Sequence, residues 1–344
     1  MTRVPWIDIT KGFCIVLVVI SHITGVPGVG KYLFAPYVTV FYFLSGAVYR
    51  NKRQTFCHKI LNRSKKLLNY YCKYGLVVII VAIGISYVEG DFSQNIIWSN
   101  LVGLLYSRYS IFIGGKALLN ELNSTFWFIT SSISSYIFFE VLLQFRKKHS
   151  DCFVVIFFVL LSVVMDLCPI LLPWSIDTAP FGALMMFIGY KTTNEFYDIR
   201  LDTFRMSTLK FIALLCLYVI FCSINTGINF SIREYGSLPY GIDCITFLVI
   251  SILGTLFYIF IAKIIEHTKI SRLFLYLGKN TIHILCLHLV VVKCYKMLLN
   301  LFKVELFGIH YWISASLCAM LSISIPLLLK EAKVLVKEKK SWLT

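Results

Sequence analysis

Apolar runs of about 18–24 residues recur from one end of this 344-residue chain to the other. Each is long enough to cross ~30 Å of hydrocarbon at 1.5 Å of helical rise per residue. The pattern predicts ten spans, at 10–27, 32–49, 69–89, 126–145, 152–172, 177–194, 208–226, 242–265, 274–298 and 310–330. The stretch "SQNIIWSNLVGLLYSRYSIFIGG" (93–115) is too polar to span and reads as a partly helical segment lying at the surface. The expected fold is therefore all-α, a polytopic integral membrane protein of about ten transmembrane helices. It reads as a single integral domain over 1–344, with a basic loop at 50–68, a tail at 331–344, and no cleavable signal pattern at its start.

Composition agrees with the pattern. Aliphatic, aromatic and cysteine residues make up 58% of the chain and charged residues 15%, too apolar a balance for a soluble enzyme of this size. Charge then sets an expected orientation. "RNKRQTFCHKILNRSKKLLN" after the second span, "RKKH" after the fourth and "KEAKVLVKEKK" at the end are basic, whereas the alternate loops are nearly bare. Positively charged loops stay cytoplasmic, which puts both termini in the cytoplasm. The net charge of +16 is explained as topology determinants next to anionic lipid, without a nucleic-acid partner. The eleven cysteines are scattered through apolar segments, and no Cys/His cluster has metal-ligand spacing.

The first span carries the clearest chemistry. Asp8 and Lys11 stand one helical turn apart at its mouth, and His22 follows eleven residues after Lys11, ~16 Å further along the helix. That depth approaches the bilayer middle, where ionisable groups are costly and face a cavity or a partner. Two readings remain open: an imidazole hydrogen-bonded between helices, or one that works as a base in a cavity.

Asp8-x-x-Lys11-Gly12, an apolar run and then His22 resembles the first-span signature of the membrane-bound acyltransferase family 3, D-x-x-R-G followed by a histidine, with Lys in place of Arg. Its "TKG" is similar to the "AKG" of the fucose, enterobacterial common antigen and polysaccharide O-acetyltransferase branch. "FYFLSGAVY" (41–49), "STFWFITSSISSYIFFE" (124–140), "IDTAPFGALMMFIGY" (176–190) and "YLGKNTIHILCLHL" (276–289) resemble further family segments in the family's order. The resemblance implies transfer of an acyl group, usually acetyl, from cytoplasmic acetyl-CoA to a hydroxyl of a cell-surface polysaccharide or its lipid-linked precursor. It also implies a multi-pass protein of a bacterial cell membrane, with acetyl-CoA as co-substrate and no permanently bound cofactor.

Within that reading His22 is the general base or an acyl carrier, and Asp8 orients or charge-balances Lys11, where the CoA end arrives. Arg63, Lys65 and Lys66 resemble the family's donor-binding basic pair, since clustered cations suit the phosphates of CoA. They are equally what any cytoplasmic loop carries. Asp177 is a candidate for holding the acceptor sugar, or a helix N-cap before "TAPFGAL". Trp127 and Glu121 start the fourth span on the expected outer side, Trp127 as an interfacial anchor or a sugar-stacking ring. His288 is a candidate site residue, and His283 reads as a structural hydrogen bond. The competing function class is a transporter or flippase for lipid-linked sugars, but no pair of homologous halves with matching broken helices is visible in the sequence.

Overall fold

The structure, a computed structural model, describes residues 4–24, 30–50, 54–90, 92–108, 112–113, 116–117, 125–167, 171–194, 208–224, 242–305 and 307–341. Pro5 opens α1 (Pro5–Ile23), where its missing N–H is no loss and its fixed φ suits the first helical turn. Thr10 hides its hydroxyl on the Trp6 carbonyl at 2.7 Å. The helix ends as Thr24 turns extended (φ −143°, ψ 138°). It therefore starts and stops earlier than the 10–27 pattern suggested, and His22 lies in its last turn.

The second expected span is two helices, α2 (Gly30–Phe34) and α3 (Thr39–Ala47). Pro36 explains the break, because it lacks an amide donor and its ring disfavours helix at the residue before it. The Pro36 carbonyl instead accepts from the Thr39 hydroxyl (2.9 Å) and the Val40 amide (3.1 Å), starting α3 afresh. α4 (Phe56–Glu89) is capped by the Thr55 hydroxyl and stopped by Gly90 at φ +76°, a left-handed conformation in which glycine is unstrained. Its 34 residues rise ~51 Å, so the basic first turns extend beyond a bilayer's hydrocarbon. The polar stretch after it forms α5 (Gln94–Tyr106) and a two-residue antiparallel pairing of Phe112–Ile113 with Lys116–Ala117.

The remaining elements are α6 (Trp127–Phe145), α7 (Asp151–Leu167), a 3₁₀ turn (Pro173–Thr178), α8 (Ala179–Asn194), α9 (Thr208–Ile224), α10 (Ile242–Glu266), α11 (Ser271–Lys279), α12 (Thr281–Leu301) and α13 (Gly308–Ser341). The expected ninth span divides at Asn280, whose side-chain amide donates to the Tyr276 carbonyl at 2.8 Å and whose backbone leaves the helical region. Among the described residues six helices are long and apolar enough to cross a membrane: α1, α4, α6, α10, α12 and the Gly308–Ala332 part of α13. Shorter apolar helices lie at Tyr32–Ala47, Asp151–Met165 and Phe211–Ile224. The protein is a helical membrane protein.

Two helix pairs meet backbone to backbone. Gly12 of α1 faces the Phe274 carbonyl of α11, and Gly278 of α11 faces the Asp8 carbonyl of α1. Gly46 of α3 faces the Met186 backbone of α8, and Gly189 of α8 faces the Phe43 carbonyl of α3. Small residues let apolar helices approach closely enough to gain packing that lipid cannot supply. Gly46→Ala would drive a methyl into main-chain atoms, whereas Gly84 of α4 has open space around it. Gly46→Ala is expected to destabilise by about 1–3 kcal/mol, seen as a lower melting temperature in detergent. Gly84→Ala should leave melting unchanged or raise it, and equal effects of the two would refute the packing assignment.

Candidate active site

Along α1, Lys11, Ile15, Val18 and His22 recur at spacings of four, three and four residues, which puts them on one helix face. Ile15, Val18 and His22 line a pocket with about 100 Å³ of free volume. Tyr37, Val38 and Phe41 close it on the α3 side, and Thr125, Trp127 and Phe128 at the start of α6. Thr281, Ile282 and Leu285 in the first turns of α12 complete it. From Ile15 to His22 it follows α1 for ~10 Å, and Lys11 stands one turn further back. Asp8 holds Lys11 in an i,i+3 ion pair at 3.6 Å.

His22 is not alone. His288, fully buried on α12, approaches with Nε2 at 3.4 Å from His22 Nδ1, the rings edge to face with centroids 5.0 Å apart. The hydrogen bonds around the pair determine which nitrogens carry protons. Val18 O lies 2.7 Å from His22 Nδ1, and a carbonyl can only accept, so Nδ1–H donates. His22 Nε2 is left with a lone pair. His288 Nδ1 likewise donates to the Ile284 and Leu285 carbonyls at 3.0 Å each, which leaves its Nε2 lone pair facing His22 Nδ1–H. A proton taken up at His22 Nε2 makes an imidazolium whose Nδ1–H is shared between the Val18 carbonyl and His288. Such an arrangement is chemically able to serve as a general base with an orienting partner. Ser21 completes the turn, donating to the Val18 carbonyl at 2.8 Å, with Tyr37 Oη 3.4 Å away.

A family model described as an acyltransferase domain matches residues 4–330. The chain belongs to acyltransferase family 3. Searches of curated proteins and of solved structures found no match to it.

The membership makes the protein a membrane acyltransferase. Its other sequence-predicted site residues divide into groups in the fold. Trp127 is a pocket wall, 9% exposed and edge-on to Phe128 at 6.1 Å. Asp177 is sealed in a buried ion pair with Arg108, both side chains at 0% exposure, and is not among the residues lining the His22 pocket. Arg108 also donates from Nε to the Leu172 carbonyl (3.2 Å) and from Nη1 to the Ser175 hydroxyl (3.3 Å). Glu121 lies outside the described residues.

The donor-side residues separate too. Arg63 turns inward, its guanidinium 4.4 Å from the centroid of the Tyr136 ring, a cation–π geometry. Lys65 and Lys66 stay exposed. Lys59, one turn before Arg63, lies 3.7 Å from the buried Glu140 carboxylate and donates to the Tyr49 hydroxyl at 3.3 Å. A cavity of about 300 Å³ beside this cluster is lined by Lys59, Glu140, Arg146, Lys147 and Tyr190. The first residues of α6 line the His22 pocket and Glu140 lies thirteen residues after Trp127, so this basic cluster is ~20 Å from the pocket along α6.

Sequence reasoning passed over Arg108, Glu140 and Thr125. Glu140 carried a legible signal, an acid within an apolar helix. Arg108 carried none beyond being a charge in a polar loop, because its partner is 69 residues away.

Proposed function

We propose that the protein is an O-acyltransferase of the cell membrane. It would move an acetyl group from cytoplasmic acetyl-CoA onto a hydroxyl of a cell-surface polysaccharide or its lipid-linked precursor. The observation that carries this reading is the His22 pocket. An apolar pocket lies a turn beyond a basic residue and includes an imidazole whose Nε2 is available to accept a proton. Its free volume of about 100 Å³ is smaller than the ~150 Å³ cavity that accommodates benzene, which favours a short acyl group. The basic loops make the Lys11 end cytoplasmic, with both termini there.

The chemistry follows. The acceptor hydroxyl gives its proton to His22 Nε2 as its oxygen attacks the thioester carbonyl. The tetrahedral intermediate collapses, the C–S bond breaks, and the CoA sulfur leaves with the electron pair and takes the proton from His22. His288 keeps the His22 ring in one tautomer through the cycle. Lys11, charge-balanced by Asp8, and the Lys59–Arg63 cluster favour the phosphate-bearing donor at the inner face. The test is mass spectrometry of surface glycan from source cells with and without the gene. Loss of one acetyl mass per modified sugar on deletion, restored by the gene, is the expected result. An unchanged glycan that remains fully acetylated would refute the reading.

A further inference from the structure

The walls of the His22 pocket are largely apolar, so each polar group that enters it requires a reason. Thr125 is one. It occupies the short 3₁₀ turn that leads into α6, is 4% exposed, and lines the same pocket as His22. Its hydroxyl has no hydrogen-bond partner among the described residues. Nearby on α6, Thr130 donates to the Trp127 carbonyl at 3.0 Å and Ser132 to that of Phe128 at 2.7 Å, whereas the Ser135 hydroxyl is also unpartnered among the described residues but does not line the pocket. A buried hydroxyl without a partner is destabilising and uncommon unless a ligand completes it. A thioester carbonyl placed for attack near His22 provides such a ligand. As the acceptor oxygen bonds to carbon, the C=O electron pair moves onto oxygen, and this developing anion needs a donor in a water-poor site. Tyr37, the pocket hydroxyl on the α3 side, lies 3.4 Å from the Ser21 hydroxyl, whereas the Thr125 hydroxyl has no hydrogen-bond partner among the described residues.

Resting on the acyl-transfer reading above, we propose that Thr125 is a second catalytic residue. Its O–H donates to the thioester carbonyl oxygen and stabilises the oxyanion of the tetrahedral intermediate. The Thr125 proton is shared and never transferred, and the acceptor's proton travels through His22 to the departing sulfur.

The experiment uses inverted membrane vesicles from source cells lacking the native gene and supplied with wild-type protein, Thr125→Val, Thr125→Ser or His22→Ala at matched levels. Isotope-labelled acetyl-CoA is added, and label in the glycan fraction is followed. Thr125→Val is expected to lower the rate at saturating acetyl-CoA by about 10²–10³-fold, with KM for acetyl-CoA little changed. Thr125→Ser should keep most of the rate. The melting temperature of Thr125→Val in detergent should hold or rise, because an unpartnered hydroxyl has been removed. A wild-type rate for Thr125→Val overturns the proposal. So does a Thr125→Ser rate as low as that of Thr125→Val, or a loss of activity accompanied by a lower melting temperature. Failure of the acyl-transfer reading looks different: wild-type vesicles transfer no label, or His22→Ala transfers as much as wild type.

Discussion

His22→Gln leaves a folded, membrane-inserted protein whose transfer rate falls by about 10²–10⁴-fold, the range that a positioned general base supplies. Glutamine preserves bulk and polarity at the end of α1 but has no basic nitrogen, so the loss reports the proton acceptor rather than a packing defect. His288 gives the internal comparison. In the proposed mechanism it holds the His22 ring and shares the Nδ1–H of the imidazolium, through a nitrogen 3.4 Å away. His288→Leu removes that acceptor and leaves the imidazolium less well partnered in a buried site, whereas His288→Gln offers an amide oxygen in its place. The expected order of activity is wild type, His288→Gln, His288→Leu, then His22→Gln. The measurement is acetyl label entering glycan in membrane vesicles, at matched protein levels. A His22→Gln enzyme as fast as wild type would remove the base from the mechanism, and His288→Leu slower than His22→Gln would reverse the two roles.

Arg108→Met destabilises the protein by about 3–5 kcal/mol, because it strands Asp177 as an uncompensated charge in the interior. Asp177→Leu has an effect of similar size for the converse reason. The double substitution Arg108→Met with Asp177→Leu recovers much of the loss, since a buried pair replaced by apolar side chains of suitable volume is often neutral. The local backbone adds to the single-substitution effect. Trp174 and Ser175 sit at φ +56° and +54°, a left-handed conformation unfavourable for residues with a side chain. Ser175 is held there by Arg108. Trp174 is held by its indole N–H on the Leu105 carbonyl (2.9 Å) and by Ser134, which donates to the Trp174 carbonyl at 2.9 Å. Thermal melting in detergent checks the cycle. An acceptor-binding Asp177 behaves differently: Asp177→Asn would weaken acceptor affinity at an unchanged melting temperature, and that pattern would overturn the structural assignment.

Much of the architecture was legible along the chain. Among the described residues the apolar runs correspond to helices, the second and ninth to two each, and the Asp8–Lys11 pair is the local i,i+3 contact its spacing implied. The limits of the runs were less legible. Pro5 could be read as a helix start and Pro36 as a break, yet hydropathy averages over both residues and so displaced the first span and fused α2 with α3. The surroundings of Asp177 were not legible for a different reason. Its charge near the end of an apolar run suits either an exposed ligand contact or a buried pair, and the sequence does not name the partner.

The amino-acid order by itself determined that this is a helical membrane protein of the acyltransferase kind. Backbone polar groups in hydrocarbon must be satisfied within each helix, and family motifs are local in sequence. The tertiary structure decided what those motifs can do. It brought His288 to His22 across 266 positions, turned Arg108 onto Asp177 across 69, and made Thr125 part of the wall of the His22 pocket. Such contacts depend on how helices cross and how closely glycines let them approach, quantities that no periodicity along one strand of sequence contains.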